Sequence, residues 1–115
     1  MIRQRLANRR HHEAIAIEHQ GQRYKIGLGR EILCDGSCGA QRRFGPIKEI
    51  FLSAQKVDTA ADVVVRDGAI LISLLLQYGC PARDIAHAMK RNPDGSPASP
   101  LGRAAAFLIE GPRDA

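Results

Sequence analysis

Residues 59–81 carry the strongest secondary-structure signal in the chain and read TAADVVVRDGAILISLLLQYGCP. They open on the helix-start pattern in which a Ser or Thr is followed three residues later by an acid, so Asp58 or Thr59 is expected to cap the first turn. Gly79 suits a helix end, because glycine readily adopts the left-handed backbone conformation found there. The pattern predicts one long helix over residues 60–78.

The second half of this predicted helix is apolar on almost every side. A helix of that kind is buried on more than one side. One small sheet covers only one of these sides, so we expect a homodimer interface through helix 60–78. The apolar side chains form two stripes, with Val64, Leu71, Leu75 and Tyr78 in one and Val63, Ile70 and Leu74 in the other.

Three segments before the helix have the residue pattern of β-strands. Residues 13–20 and 23–28 alternate with period two on either side of a turn signal at Gly21, which predicts a β-hairpin. Residues 47–53 predict a third strand. The segment in between, residues 30–46, is rich in Cys and Gly and is expected to be an inserted loop.

Two shorter helices are predicted after the long one. Pro81 suits the first position of a helix that runs over about residues 82–90. The pair Ser99-Pro100 combines a cap with a proline and predicts a third helix that continues to residue 109. The element order predicts an α+β fold, with a small antiparallel sheet of about three strands followed by three helices packed on one face.

The length and composition of the chain fit one domain. Its 115 residues are 44% hydrophobic, and we place the domain at residues 13–110, with a basic arm at 1–12 and a tail at 111–115. A barrel of eight strands and eight helices needs about 250 residues, so that fold is excluded. A complete radical reductase or polymerase is excluded for the same reason. Aromatic residues make up 4% of the chain, which is a small supply of stacking platforms for single-stranded nucleic acid.

No targeting or membrane segment is predicted. The basic N-terminus has no apolar stretch behind it, and the longest nearly apolar run covers residues 69–76. That run is far shorter than the roughly 20 residues that span a bilayer. Three cysteines do not make a disulfide framework. We therefore expect a cytoplasmic protein without membrane contact.

The N-terminal arm is strongly basic within a chain of net charge +5. No acid precedes Glu13, and a basic run of this kind is either a solvated tail or a contact to nucleic acid or an acidic partner. The candidate residues for such a contact are Arg3, Arg5, Arg9 and Arg10 in the arm, and Arg42 and Arg43 in the predicted loop.

Residues 55–62, QKVDTAAD, and residues 66–81, RDGAILISLLLQYGCP, form a recognisable pattern behind the strand at 50–53. This pattern resembles the TSCPD domain, which occurs in the C-terminal part of vitamin-B12-dependent ribonucleotide reductases and as small standalone bacterial proteins. The resemblance covers about residues 23–108, without the Cys-rich loop. It implies an accessory or binding module that is linked to deoxyribonucleotide metabolism and has a ribonucleotide reductase subunit as partner.

The chain departs from that family at the motif that names it. Residues 97–101 read Pro-Ala-Ser-Pro-Leu where the family has Thr-Ser-Cys-Pro-Asp. Only the proline is kept, and Ser99 stands at the position of the cysteine. No catalytic residue is therefore carried over from the resemblance.

Cys34 and Cys38 have a spacing that allows both thiolates to bind one zinc ion. A closed zinc site needs two further ligands, and the chain has no second pair of ligands beyond the adjacent His11 and His12. The alternatives are two thiols on a Gly-rich loop and a reversible disulfide. The spacing alone therefore leaves zinc as one candidate cofactor, with Cys34 and Cys38 as its ligands.

The third predicted helix begins at a candidate anion site. Free N–H groups and the helix dipole attract phosphate at a helix N-terminus, and basic residues flank this one. The alternative is an ordinary capped helix with solvated basic neighbours. The candidate residues are Lys90, Arg91, Ser96, Ser99 and Arg103.

Three functional hypotheses remain, and no acid/base pair or nucleophile dyad stands out to favour catalysis by the chain alone. The first is a non-catalytic accessory or binding module of the TSCPD type. The second is a small basic nucleic-acid-binding protein. The third is a thiol or metal enzyme built on Cys34 and Cys38.

Overall fold

The computed structural model of the protein describes residues 2–8, 10–34 and 43–110. Within these ranges three strands are followed by three helices. Their bounds are His11–His19 for β1, Gln22–Cys34 for β2, Arg43–Ala54 for β3, Ala60–Gln77 for α1, Ala82–Ala88 for α2 and Pro100–Glu110 for α3. The predicted α+β fold, with a small antiparallel sheet and three helices after it, is confirmed.

The three strands form one antiparallel sheet in the order β1-β2-β3. The β1–β2 hairpin turns on two residues, Gln20 and Gly21, with φ values of 51° and 78°. Positive φ at both central residues is the tight hairpin turn whose twist matches that of the flanking strands. The sequence signal at Gly21 therefore located this turn correctly.

The second and third strands are longer than their sequence patterns predict. β2 continues to Cys34 and β3 begins at Arg43, so both enter the segment predicted as a loop at 30–46. Their pairing is irregular between Gly29 and Cys34, where the register shifts. These irregularities break the strict alternation on which strand prediction depends. The remaining part of the predicted loop lies outside the described residues.

Helix α1 begins and ends at the predicted places for local reasons. The Thr59 hydroxyl accepts a hydrogen bond from the backbone N–H of Asp62, which supplies the N-cap. After the last turn Gly79 adopts a φ of 91°, which a residue with a Cβ rarely tolerates. The predicted helix and the observed one differ by a single residue at the C-terminal end.

The hydrophobic core lies between the sheet and the three helices. One side of α1 packs on the inner face of the sheet, and α3 contacts both α1 and β1. The buried side chains are Ile17, Ile26, Leu28, Ile50 and Leu52 from the sheet, Val65, Ala69, Ile72 and Leu76 from α1, Ile85 and Ala86 from α2, and Ala104, Ala105 and Phe107 from α3. The opposite face of the sheet has no helix packed on it within the described ranges.

Three buried polar side chains of α1 bind the backbone of β3, an edge strand of the sheet. Ser73 both accepts from the N–H of Ile50 at 2.8 Å and donates to its carbonyl at 2.9 Å. Gln77 donates to the carbonyl of Lys48, and Asp62 accepts from the N–H of Ala54. Unpaired N–H and C=O groups at a sheet edge invite pairing with another chain. Here the helix satisfies them, which explains why an otherwise apolar helix buries polar residues.

Candidate functional site

The most unusual surface of the molecule lies on the solvent side of α1. We call it the α1 outer surface and define it by Val63, Val64, Ile70, Leu71, Leu75 and Tyr78, whose exposed fractions range from 42% to 62%. These residues belong to the two stripes that the sequence predicts. The remaining member, Leu74, is half-buried, and the described part of the chain leaves the other six exposed. Contiguous apolar surface of this kind marks interaction sites in soluble proteins.

Two charged residues interrupt this surface. Arg66 donates through Nε to Asp62 at 2.9 Å, so its charge is paired within the same helix. Asp67 is exposed next to it. The surface therefore combines apolar side chains with an arginine that is paired to the buried Asp62 and with one exposed acid.

The predicted basic arm is not a detached tail. The Arg3 guanidinium donates to the Gln77 side chain at 2.6 Å, and the backbone N–H of Gln4 donates to the Gln77 carbonyl at 2.8 Å. Arg10 forms an ion pair with Glu49 at 2.7 Å. Two of the four arm arginines proposed for nucleic-acid contact are therefore engaged by the protein itself.

The other basic candidates are placed differently. Arg5 is exposed, and Arg43 is exposed at the start of β3. Arg9 and Arg42 lie outside the described residues. Nucleic-acid contact by this set stays a prediction, and the described members do not form one cluster of free cations.

The candidate zinc ligands are only half described. Cys34 is buried at the end of β2, where its side chain already has an interaction. Cys38 lies outside the described residues. Among residues 2–8, 10–34 and 43–110, no group of three or more His, Cys, Asp or Glu side chains is placed to hold a metal ion.

The candidate anion site contains an anion of its own. Asp94 accepts from both the backbone N–H and the hydroxyl of Ser96, at 2.9 and 2.6 Å. The Ser96 hydroxyl is the largest cause of the lowered pKa of Asp94, and the Ser96 N–H adds to it. Arg91 donates to the carbonyl of Gly95 across the same turn. This turn thus places a carboxylate among the residues proposed for anion binding, where it takes up the N–H and hydroxyl of Ser96.

The remaining members of that candidate site serve α3. The Ser99 hydroxyl accepts from the backbone N–H of Gly102 at 3.0 Å, which caps the helix as predicted. Arg103 is half-buried one turn further on, and Lys90 is exposed after α2. Anion binding at these five residues stays a prediction, and the hydrogen bonds of Arg91, Ser96 and Ser99 stabilise the turn and the start of α3.

A recess of about 370 Å³ lies between the start of β3 and the end of α1. Its lining includes the free thiol of Cys80 and two cations, Arg30 and Lys48. Lys48 donates to the carbonyl of Leu76, and Arg30 donates to that of Gly45. The cations therefore hold backbone carbonyls at this corner of the fold.

No protein-family model, curated protein or solved structure matches the chain. The TSCPD resemblance therefore rests on the residues that carry it. None of the helices in the described ranges is long and apolar enough to span a membrane.

Sequence reasoning missed one surface entirely. On the sheet face away from α1, Phe51 is half-exposed and its ring meets that of His12 over Gly27. The signal was in the third strand, where alternate residues on one face mix apolar side chains with an acid, so that Phe51 shares a face with Glu49. A face that mixes apolar and charged residues indicates a partly covered sheet, but it does not show which strands are neighbours in that sheet.

Proposed function

We propose that this chain is a non-catalytic binding module of the TSCPD type, which pairs with a second copy through the α1 outer surface and associates with vitamin-B12-dependent ribonucleotide reductase. The single observation that carries the proposal is the apolar character of that surface. The resemblance over residues 23–108 supports the choice of reductase.

The exposure of this surface makes a partner energetically favourable. Val64 and Leu71 are each 62% exposed and Ile70 is 55% exposed, although all three lie within a long helix. Removing apolar area from water contributes about 25 cal/mol per Å². Covering these side chains with another apolar surface therefore stabilises a complex.

The spacing of the residues supports a helix as the partner. Val64, Leu71 and Tyr78 are seven residues apart, which is the repeat of a helix–helix seam. In a twofold dimer the same patch meets itself, so it must be self-complementary. An apolar stripe on a helix meets that condition, and α1 of a second copy offers the same stripe.

The shape of the surface supports binding rather than catalysis. Catalytic and small-molecule sites are concave, with a few polar groups that converge on one point. The α1 outer surface is the convex side of a helix, and its ion pair points along the helix rather than into a cleft. A docking role uses these features directly.

The oligomeric state tests the first half of the proposal. Native mass spectrometry of the full chain should give twice the 12.6 kDa of one chain. The Leu71→Glu variant should be monomeric, because a charge in the seam is desolvated without a partner. Val57→Glu is the matched control, since Val57 is 64% exposed but precedes the helix. A monomeric wild type, or a dimeric Leu71→Glu variant, overturns the homodimer.

The reductase association is tested with the purified vitamin-B12-dependent reductase of the same organism. We expect the wild-type chain and Val57→Glu to co-elute with the reductase and to change its turnover. Absence of both effects overturns the association. If Leu71→Glu abolishes co-elution while the free wild type is monomeric, the reductase itself occupies the α1 outer surface.

A further inference from the structure

The sheet face away from α1, which we call the outer sheet face, carries an aromatic pair. The rings of Phe51 and His12 have centroids 5.7 Å apart and planes inclined by 49°. Phe51 is 51% exposed, although it lies in the middle of a strand. Large aromatic side chains gain most from burial, so a ligand that covers this half-exposed ring would be stabilised by the contact.

Gly27 allows the two rings to meet. It lies on the central strand, paired with Phe51 in β3 and with Ala14 in β1. A Cβ atom built there would lie 3.0 Å from His12 Nε2 and 3.4 Å from Phe51 Cδ2. Because Gly27 has no side chain, the two rings lie over the central strand without obstruction. We call the surface formed by His12, Gly27 and Phe51 the platform.

A recess of about 320 Å³ adjoins this platform. Ala14 and Ala16 contribute small side chains to it, and Arg23 and Lys25 contribute positive charge. Neither cation forms an ion pair with a residue in the part of the chain that the structure describes. Glu18 is the acid opposite Arg23 in the register, and it too makes no such pair. The charges of Arg23 and Lys25 are thus free for a ligand.

We propose that the outer sheet face binds single-stranded nucleic acid, with bases against the Phe51–His12 pair and phosphates at Arg23 and Lys25. Stacking of bases on aromatic rings beside a positively charged track is how sheet surfaces hold single strands. The net charge of +5 favours a polyanion. A duplex fits poorly, because its bases are stacked on each other.

This proposal uses different residues from the protein–protein interface proposed above. The α1 outer surface points away from the sheet on one side of the molecule, and the outer sheet face forms the other side. A nucleic acid therefore has access whether or not α1 is covered. The N-terminal arm lies at one end of this face, where Leu6 approaches Gly29 and Arg10 is paired with Glu49.

Fluorescence anisotropy with labelled oligo-dT and oligo-U of about 12 nucleotides tests the proposal. We expect salt-dependent binding by the wild type and a loss of about tenfold or more in Phe51→Ala. Phe51→Tyr should keep the wild-type affinity because it keeps the ring. In Arg23→Gln/Lys25→Gln, the slope of log K against log salt should fall by about 1.4, at about 0.7 per phosphate contact.

Charge-matched and fold controls make each outcome decisive. Lys25→Gln and Arg83→Gln each remove one positive charge, the first from the outer sheet face and the second from an exposed position in α2. Only Lys25→Gln should lower the slope, by about 0.7. Circular dichroism melts verify that each variant folds, and Leu71→Glu should bind like the wild type. Each of the following results overturns the proposal: absence of binding, equal affinity of Phe51→Ala and wild type, or an equal effect of Lys25→Gln and Arg83→Gln on the slope. A duplex that competes as well as the single strand also overturns it.

Discussion

The Asp62 carboxylate accepts a 2.8 Å hydrogen bond from the backbone N–H of Ala54, which joins the first turn of α1 to the last residue of β3. Its other oxygen accepts from the N–H of Asp58 and from Arg66 Nε, at 2.8 and 2.9 Å. The side chain is fully buried. Sheet, loop and helix therefore meet at one charged group.

Replacement of Asp62 by Ala should strongly destabilise the protein. The variant leaves the N–H groups of Ala54 and Asp58 without their acceptor, and we expect the melting temperature to fall by about 10 °C or more. Asp67→Ala is the control, because Asp67 is an exposed acid in the same helix. Thermal melts followed by circular dichroism check this, and equal losses in the two variants would contradict the role of Asp62.

The Asp62 carboxylate should also make the stability of the protein depend on pH. The backbone N–H of Asp58 is the main cause of the lowered pKa of Asp62; burial opposes it, while Ala54 and Arg66 add to it. Because the folded pKa is lowered, the unfolded chain takes up the proton first. The stabilisation is complete above the unfolded pKa of about 3.9 and is lost as pH falls from there through the folded pKa.

Urea unfolding of the wild type and Asp62→Asn measures this effect. The difference between their midpoints should be largest at neutral pH and should shrink at about pH 3 and below. The pKa of Asp94 is also lowered, so Asp94→Asn serves as the control for a second acid. A wild-type advantage over Asp62→Asn that stays constant with pH would refute the assignment.

Ser73→Ala should cost about 1–3 kcal/mol in unfolding free energy, because the backbone groups of Ile50 lose their partner at the edge of β3. Ser73 is buried, and its single hydroxyl proton is shared between the carbonyls of Ile50 and Ala69, each 2.9 Å from Oγ. Ser53→Ala is the matched control, since Ser53 lies on β3 without a hydrogen bond from its hydroxyl to any described residue. Its change should stay within about 0.5 kcal/mol. Chemical denaturation measures the unfolding free energy of both variants, and equal losses would contradict the role of Ser73.

Gly68→Ala should destabilise the protein, although the same change inside a helix ordinarily stabilises by about 1 kcal/mol. A Cβ atom at Gly68 would overlap the side chain of Leu101 in α3. Overpacking of this kind costs about 1–3 kcal/mol. Adding Leu101→Ala should make the Gly68→Ala change less costly than it is alone. A double-mutant cycle by urea unfolding measures this coupling, and simple additivity would rule out the α1–α3 contact as the cause.

The helices and the hairpin turn follow from residues close together in the chain. The Thr59 cap, the Gly79 end and the Gln20–Gly21 turn each depend on a few neighbouring residues, and all three were predicted from the sequence. The long strands were only partly predicted, because the irregular pairing after Gly29 hides their alternation.

The candidate sites depend on contacts that no local pattern contains. The sequence predicts Arg3 as a free cation, because its partner Gln77 lies 74 positions away in the chain. Ser99 reads as an anion ligand or a cap, and the observed bond to Gly102 is the cap. The platform at Phe51 exists only because the register sets Gly27 beside it.

Residue order alone was therefore sufficient for the helix at α1, the turn and the α+β class, since caps, turns and hydrophobic periodicity act over a few residues. Long-range packing was needed to turn Asp62, Ser73 and Gln77 toward the edge of β3. The same packing leaves the opposite side of the helix apolar and bare. The physical reason is that one small sheet covers a single side of a helix that is apolar nearly all round.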